Sequence, residues 1–374
     1  MKLKIAFDAK RAFLNTSGLG NYARTIIKSL HFFNPNDTQF LFTPKVRDNV
    51  FFKEVSKFQN LEIIQPSTFF YEKIKSYWRS FSITNELINK NIDVYHGLSN
   101  ELPINIKKFK GKKIVTIHDL IFLRYPHLYP FLDRLIYRRK FYAACLNADT
   151  IIAISEETKK DIIFFFKIPE KKIKVVYQSC DDSFYKKYSD FEIQEVKKVH
   201  HLPLSYLLYV GTIEKRKNLL TIVKALKHLK SIPLLVVGKK TIYFKEVNNF
   251  IIQNNLSNRV IFLENVSNNQ LPIIYQNASL FIYPSIFEGF GIPIIEALIS
   301  KTPVITTNGG CFPEAGGPNS IYIDPLNDII LAQKINEILA SENLKKDISE
   351  KGFLYAAKFH KNKIAEQLME IYKK

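Results

Sequence analysis

Cysteine is scarce in this sequence. Cys145, Cys180 and Cys311 are the only three in 374 residues, far apart, with no C-x-x-C pair and no metal-ligand spacing. A disulfide framework is thereby excluded, and a reducing compartment is expected. No apolar run approaches the length needed to cross a bilayer, and the opening stretch Met1–Asp8 is too short in apolar residues for a signal peptide and reads as a first strand. Low-complexity segments and short-period repeats are missing. Zinc-finger, helix-turn-helix and RNA-recognition signatures are missing too, so no nucleic-acid partner is expected. Acidic residues are in deficit: 35 Asp plus Glu stand against 54 Lys plus Arg, a net charge of +19. Such a balance favours acidic partners such as nucleotide phosphates or anionic lipid.

What is present suits two packed domains: 46% hydrophobic and 13% aromatic residues over a length above that of one ordinary domain. Short apolar runs alternate with amphipathic segments. Strands are predicted at Leu3–Phe7, Phe40–Phe42, Leu61–Ile64, Val94-Tyr95, Lys113–Ile117, Ile151–Ile154 and Lys174–Val176. The series restarts with Tyr206–Val210, Leu234–Val237, Val260–Phe262, Leu280–Tyr283, Pro303–Thr306 and Ile321–Ile323. Helical patterns fall at Asn21–His31, Tyr77–Lys90, Tyr129–Asn147 and Glu156–Phe166. This alternation predicts an α/β protein with two Rossmann-like domains, parallel sheets and a cleft between them. The divisions are 1–185, a linker 186–204, 205–355, and a C-terminal helix 356–374 that packs back on the first domain. Ligands of such sheets bind beyond the carboxyl ends of the strands.

One stretch organises the rest: Ser285-Ile-Phe-Glu288-Gly289-Phe290-Gly291-Ile292-Pro293-Ile-Ile-Glu296-Ala297, directly after an apolar strand. Pro293 suits the first turn of a helix. Gly289 and Gly291 let a ligand approach the backbone, whose amides favour a phosphate. Glu288 and Glu296 can accept hydrogen bonds from sugar hydroxyls, although two glutamates at this spacing also fit an ordinary strand–turn–helix. In Leu208–Asn218, Arg216 and Lys217 lie between a strand and a helix, where two cations would neutralise a diphosphate leaving group. A solvated basic turn is the other reading. After the first strand, Ser17-Gly18-Leu-Gly20-Asn-Tyr22 is either an anion-binding turn or a plain tight turn; the third glycine of a dinucleotide fingerprint is missing. His96 and His118 both end strands, and a lone histidine is usually structural. Ser155 with Thr158 reads as a helix cap. Asp181-Asp182 is either a metal-binding loop or part of an interdomain crossing.

The string E-G-F-G-x-P-x-x-E-A resembles the E-x7-E signature of retaining glycosyltransferases of family 4 (glycosyl transferases group 1), which have the two-domain GT-B fold. Further strings match in order: S-G-L-G-N-Y at Ser17, V-T-I-H-D-L at Val115, A-D-T-I-I-A-I-S-E-E-T-K at Ala148, and P-E at Pro313. The resemblance implies that Glu288 and His118 meet the donor sugar and that Glu296 meets the nucleotide ribose. It implies that Arg216 and Lys217 take diphosphate charge, aided by the amides of Gly289, Phe290, Gly291 and Ile292, with Gly18 and Gly20 near phosphate or acceptor. Val266, in F-L-E-N-V-S, would hold the base edge, although Glu264 stands where the family has glycine. The implied enzyme is a retaining, metal-independent hexosyltransferase without a cofactor, with a nucleotide-diphosphate sugar as donor, GDP-mannose as first guess. A glycan or lipid-linked acceptor of cell-surface polysaccharide synthesis would receive the sugar.

Retention could proceed through an ion pair, which is favoured because no enzyme nucleophile is evident, or by double displacement. Replacing Glu288 or Lys217 by Ala is expected to abolish transfer without unfolding. The alternatives are an epimerase or phosphorylase on the same fold, a noncatalytic sugar-nucleotide sensor, or a nucleic-acid-binding protein. The expected location is cytoplasmic, with the basic aromatic stretch Arg124–Lys140 or the basic stretch Lys107–Lys113 touching an anionic membrane, or else merely solvated.

Overall fold

The computed structural model describes residues 2–15, 18–66 and 75–374. Ser17, at the head of the first glycine string, lies outside the described residues. The chain divides into two compact units: residues up to Ser179 together with Phe359–Lys374, and Cys180–Lys358.

The first unit is built on seven strands: β1 (Lys4–Asp8), β2 (Thr38–Phe42), β3 (Leu61–Ile64), β4 (Val94–Gly97), β5 (Lys112–Ile117), β6 (Thr150–Ala153) and β7 (Ile173–Val175). All pair in parallel, in the order β3-β2-β1-β4-β5-β6-β7. Strand order therefore reverses between β1 and β4, where Phe7 stands opposite His96. Side chains alternate across the sheet. Ile5 and Phe7 join one core with Tyr22, Ile26 and Leu30 of helix Gly18–Phe33, while Ala6 joins Phe42, Trp78 and Leu87 on the other face. Both faces are covered by helices, so the strands read as continuous apolar runs.

Helix Lys361–Lys373 packs on helix Gly18–Phe33 through Ile364, Ala365, Leu368, Met369 and Tyr372, a one-sided helical stripe. Burying each of its large apolar side chains contributes about 2 kcal/mol. The predicted helix Tyr77–Lys90 is interrupted by a π-helical turn, Trp78–Ser82, before Ile83–Asn89. This wider turn carries both Trp78, in the core, and Arg79, whose role is described below.

The second unit has six parallel strands: β8 (Leu207–Val210), β9 (Leu234–Val237), β10 (Val260–Leu263), β11 (Leu280–Tyr283), β12 (Val304–Thr307) and β13 (Ile321–Ile323). Their order is β10-β9-β8-β11-β12-β13, reversing between β8 and β11. The stretch 186–204, expected as a linker, instead contains helix Asp190–Val199 and belongs to this unit. Ser189 and Glu192 form a capping box at its start, which satisfies backbone donors that a polar linker would leave to water. Only Val196 is buried in this helix, so its composition resembles that of a linker. Among the described residues no helix is long and apolar enough to cross a membrane.

Candidate functional site

In a doubly wound sheet the reversal of strand order opens a crevice at the strands' carboxyl ends. In the second unit that place lies between β8 and β11, and the loops after these strands, 211–218 and 284–291, meet there. The Ile286 N–H donates to the Arg216 carbonyl at 2.8 Å. Asn218 donates from its amide to the carbonyls of Pro284 and Pro325, at 3.2 and 2.6 Å.

Glu288, Arg216 and Lys217, singled out from the sequence, converge in this crevice. Arg216 NH1 lies 2.8 Å from Glu288 Oε2, and Lys217 Nζ lies 3.5 Å from Oε1. Arg216 also pairs with Glu214 at 2.7 Å and donates to the Phe287 carbonyl. Burial alone would push the Glu288 carboxyl up. Lys217 and Arg216, with hydrogen bonds from Arg216 and Tyr283, hold it down at about 2. Glu288 is therefore an anion at any physiological pH, clamped between two cations.

Two partners escaped the sequence reading. The Tyr283 hydroxyl donates to Glu288 Oε1 at 2.8 Å and accepts from Lys217 Nζ at 3.0 Å, and Ser285 Oγ lies 3.0 Å from the same carboxylate oxygen. The signal was a tyrosine ending a buried strand, whose hydroxyl must find a partner.

Glu296, on helix Ile292–Ile299, feels the charge of Lys217 but its recorded hydrogen bond is to Tyr275 rather than to the clamp. Its Oε2 accepts from Tyr275 at 3.0 Å, and burial pushes its carboxyl up to about 7, against the Tyr275 hydrogen bond. The helix starts at Gly291, whose φ of 118° lies in the region that favours glycine, and no side chain caps it. Its first amides are thus left without a side-chain partner. Gly289, Phe290 and Ile292 line this entry to the helix. Phe290 itself is buried. Cys311 Sγ reaches the carbonyls of Phe290 and Glu288, at 2.9 and 3.2 Å. Val266 stands apart, after edge strand β10 with β9 between it and β8. Asp181 accepts from the Ser183 amide at 3.0 Å and caps a short turn. Among the described residues no cluster of His, Cys, Asp and Glu is arranged to hold a metal ion.

The first unit carries its own polar groups at strand ends. His118 follows β5, and its Nε2 lies 2.9 Å from the Leu98 carbonyl, which fixes a proton on that nitrogen. Nδ1 is then the acceptor for the Gln178 amide at 3.2 Å. Burial lowers the imidazole to about 4, so the ring is neutral with both nitrogens occupied. Asp119 accepts from the Ile121 amide at 3.1 Å. His96 is bound from both sides, Nδ1 to the Tyr372 hydroxyl at 2.6 Å and Nε2 to Thr116 Oγ1 at 2.8 Å, so its role is structural. The Ser155 cap on Thr158 is present at 3.0 Å.

Gly20 faces backbone: a Cβ there would stand 1.9 Å from the Asn15 carbonyl oxygen, whereas Gly18 has open space. Close chain packing therefore accounts for Gly20, and among the described residues no atom lies within 4 Å of a Cβ built at Gly18. At the β1–β4 reversal the sequence reading missed another cluster. Arg79 pairs with Asp8 at 2.7 Å and with Glu101 at 2.9 Å. Both carboxylates sit near the carboxyl ends of the two central strands, and their sequence neighbours gave no sign of pairing across the fold.

Comparison with known proteins covers both units. Residues 16–184 match the family model described as "Glycosyltransferase Family 4", and residues 190–355 match "Glycosyl transferases group 1". The chain is 26% identical over 287 residues to the O-antigen chain mannosyltransferase B of Escherichia coli, across 75% of this chain and 74% of that protein. It is 29% identical over 255 residues to the O-antigen chain mannosyltransferase RfbU of Salmonella typhimurium, across 67% of this chain and 66% of that protein. Among solved structures, Anabaena Alr3699/HepE in complex with UDP-glucose superposes with a TM-score of 0.77 at 16% identity, covering 99% of each chain.

Proposed function

This chain belongs to family 4 of the glycosyltransferases, the group 1 glycosyl transferases with the GT-B fold, and we propose that it is a retaining, metal-independent mannosyltransferase. Its donor in this reading is GDP-mannose, and its acceptor a glycan or lipid-linked saccharide of a cell-surface polysaccharide. The mannosyl assignment is supported by the O-antigen mannosyltransferases it resembles. In this reading it works in the cytoplasm, against the membrane surface where a lipid-linked acceptor is presented.

The observation that carries the reading is the Arg216–Glu288–Lys217 clamp at the β8–β11 reversal. As the sugar–phosphate bond breaks, negative charge builds on the nucleoside diphosphate. Lys217, Arg216 and the amides at the start of helix Ile292–Ile299 are preorganised donors for that charge, and one such donor is worth about 100-fold or more in rate. Two cations supply locally what a divalent ion would otherwise supply, which supports metal independence. Both oxygens of Glu288 are engaged by cations and hydroxyls, which supports a role in holding the sugar and its cations over one as nucleophile. Attack on the same face through an ion pair then accounts for retention. Glu296 accepts from the ribose hydroxyls once ionised.

A thermal-shift panel of GDP-, UDP-, ADP- and dTDP-sugars, with and without magnesium, tests the reading. The expected result is a metal-independent rise with GDP-mannose that disappears in Lys217→Ala. A rise with another base only would refute the donor assignment. Loss of the rise on chelating divalent ions would refute metal independence.

A further inference from the structure

The structure assigns Tyr283 the part of a positioning residue: its buried hydroxyl fixes where the Lys217 ammonium stands, so that a nucleoside diphosphate meets that charge in one place. The assignment rests on the function proposed above and adds a residue to it.

A lysine supplies a point charge on a flexible stem, and a preorganised site must hold that charge still. Lys217 ends the short turn Lys215–Lys217, in the loop after β8. Its attraction to Glu288 does not fix it, because the 3.5 Å to Oε1 lies outside the usual range of an N–H···O bond and a charge pair has little direction of its own. Among the described residues, the one hydrogen bond from Nζ goes to the Tyr283 hydroxyl, at 3.0 Å. The stem of the lysine passes Gly211, where a Cβ would stand 3.2 Å from Lys217 Cδ. Of the three donors on the ammonium, one is thereby aimed at Tyr283 and the others are left for a ligand.

The hydroxyl can serve as a fixed acceptor because its own proton has a fixed destination. Glu288 is ionised and can only accept, so Tyr283 donates to Oε1 at 2.8 Å and turns a lone pair to Lys217. Burial, with the Glu288 charge next, pushes the phenol well above its usual range, and it keeps that proton. The bonds therefore run one way, from Lys217 to Tyr283 to Glu288. Behind the hydroxyl, the ring is held on every side. Tyr283 is 1% exposed, ends the interior strand β11, and stacks on Phe281 with centroids 5.9 Å apart. Tyr209 and Phe312 flank it, and its carbonyl accepts from Thr306 Oγ1 at 2.8 Å. A flexible cation is thus anchored to the centre of its sheet. A buried tyrosine needs a partner for its hydroxyl, and Glu288 alone would meet that need. The second bond, to Lys217, is what a purely structural tyrosine does not require.

A double-mutant cycle on binding of the leaving group tests this. Titration calorimetry with GDP, UDP and ADP is run on the full chain as wild type, Tyr283→Phe, Lys217→Ala and the double variant, and the cycle is read with the nucleotide that binds the wild type. Tyr283→Phe keeps the ring, and Arg216 and Ser285 still hold Glu288. The expected result is a loss of affinity of about 10-fold in Tyr283→Phe, and a change below about 2-fold when the same substitution is made in Lys217→Ala. Equal losses in both backgrounds would overturn the inference, since the hydroxyl would then act without Lys217. Unchanged affinity in Tyr283→Phe beside a loss in Lys217→Ala would overturn it too, and would leave the clamp of the proposed function standing. Wild-type affinity in Lys217→Ala, or no binding of any of the three nucleotides, would remove the clamp reading and this inference with it.

Discussion

Replacing Glu288 by Gln keeps the shape of the side chain and removes its charge. In the wild type, Oε2 lies 2.8 Å from Arg216, and Oε1 is engaged by Tyr283 and Ser285 at 2.8 and 3.0 Å. A glutamine can leave its carbonyl on the two hydroxyls, but its NH2 group then faces Arg216, donor against donor. Breaking one side of a buried ion pair costs about 3–5 kcal/mol. Arg216 keeps Glu214 at 2.7 Å, so the lower end applies, about 3 kcal/mol. For a unit of this size each kcal/mol moves the melting midpoint by about 2–4 °C, which gives a fall of about 6–12 °C. In the proposed reading transfer should drop by about 100-fold or more, because Arg216 and Lys217 lose the carboxylate that fixes their positions.

The variant should thus be folded but measurably weakened, a cost that the sequence alone did not suggest. Calorimetry of the unliganded protein and transfer from GDP-mannose measure the two effects separately. A midpoint within about 2 °C of wild type would show that this carboxylate does not hold Arg216 and Lys217. Near-normal turnover would refute its place in the site.

Lys217→Ala should lower kcat by about 100-fold while leaving the fold intact, since Arg216, Tyr283 and Ser285 still hold Glu288; unchanged kcat in a transfer assay would contradict it. Glu296 ionises near 7, so donor affinity should climb as pH rises through that value and the carboxylate becomes a full acceptor. Calorimetric titration across pH should show this climb in the wild type and a flat profile in Glu296→Gln; a climb that survives the substitution would refute it. Burial lowers His96 to about 3 and His118 to about 4. Their stabilisation of the first unit is complete above the unfolded value of 6.5. It shrinks as pH falls towards 4, because only the unfolded imidazoles take up protons. Trp78, the single tryptophan, lies in that unit's core and reports its unfolding; a fluorescence melting midpoint flat from pH 6.5 to about 4.5 would contradict this.

Much of the fold was legible because strands buried on both faces of a parallel sheet must be apolar throughout. Leu280–Tyr283 and Leu234–Val237 announce themselves in this way. The clamp was legible in its charged members, since Glu288, Arg216 and Lys217 follow such strands. Tyr283 was hidden inside an apolar run, where only its hydroxyl, invisible to hydropathy, does the polar work. Helix Asp190–Val199 was missed because it buries a single side chain and carries the charge of a linker. Gly20 could be read as an anion site or a turn, and only the Asn15 carbonyl beside it reveals a packing requirement. The Asp8–Arg79–Glu101 cluster joins residues far apart in sequence, and no local pattern announces such a meeting.

Because Phe359–Lys374 completes the first unit, that unit is discontinuous in the chain and the second is inserted within it. On the ribosome, Cys180–Lys358 has all of its strands in hand while its neighbour still waits for Ile364, Leu368, Met369 and Tyr372. Until helix Lys361–Lys373 clears the exit tunnel, helix Gly18–Phe33 lacks its cover and His96 Nδ1 lacks the Tyr372 hydroxyl. Vectorial synthesis thus imposes an order of maturation, the inserted half before the enclosing one. A nascent chain stalled or clipped short of Tyr372 would carry a finished second unit tethered to an unfinished first one, with apolar surface that chaperones recognise.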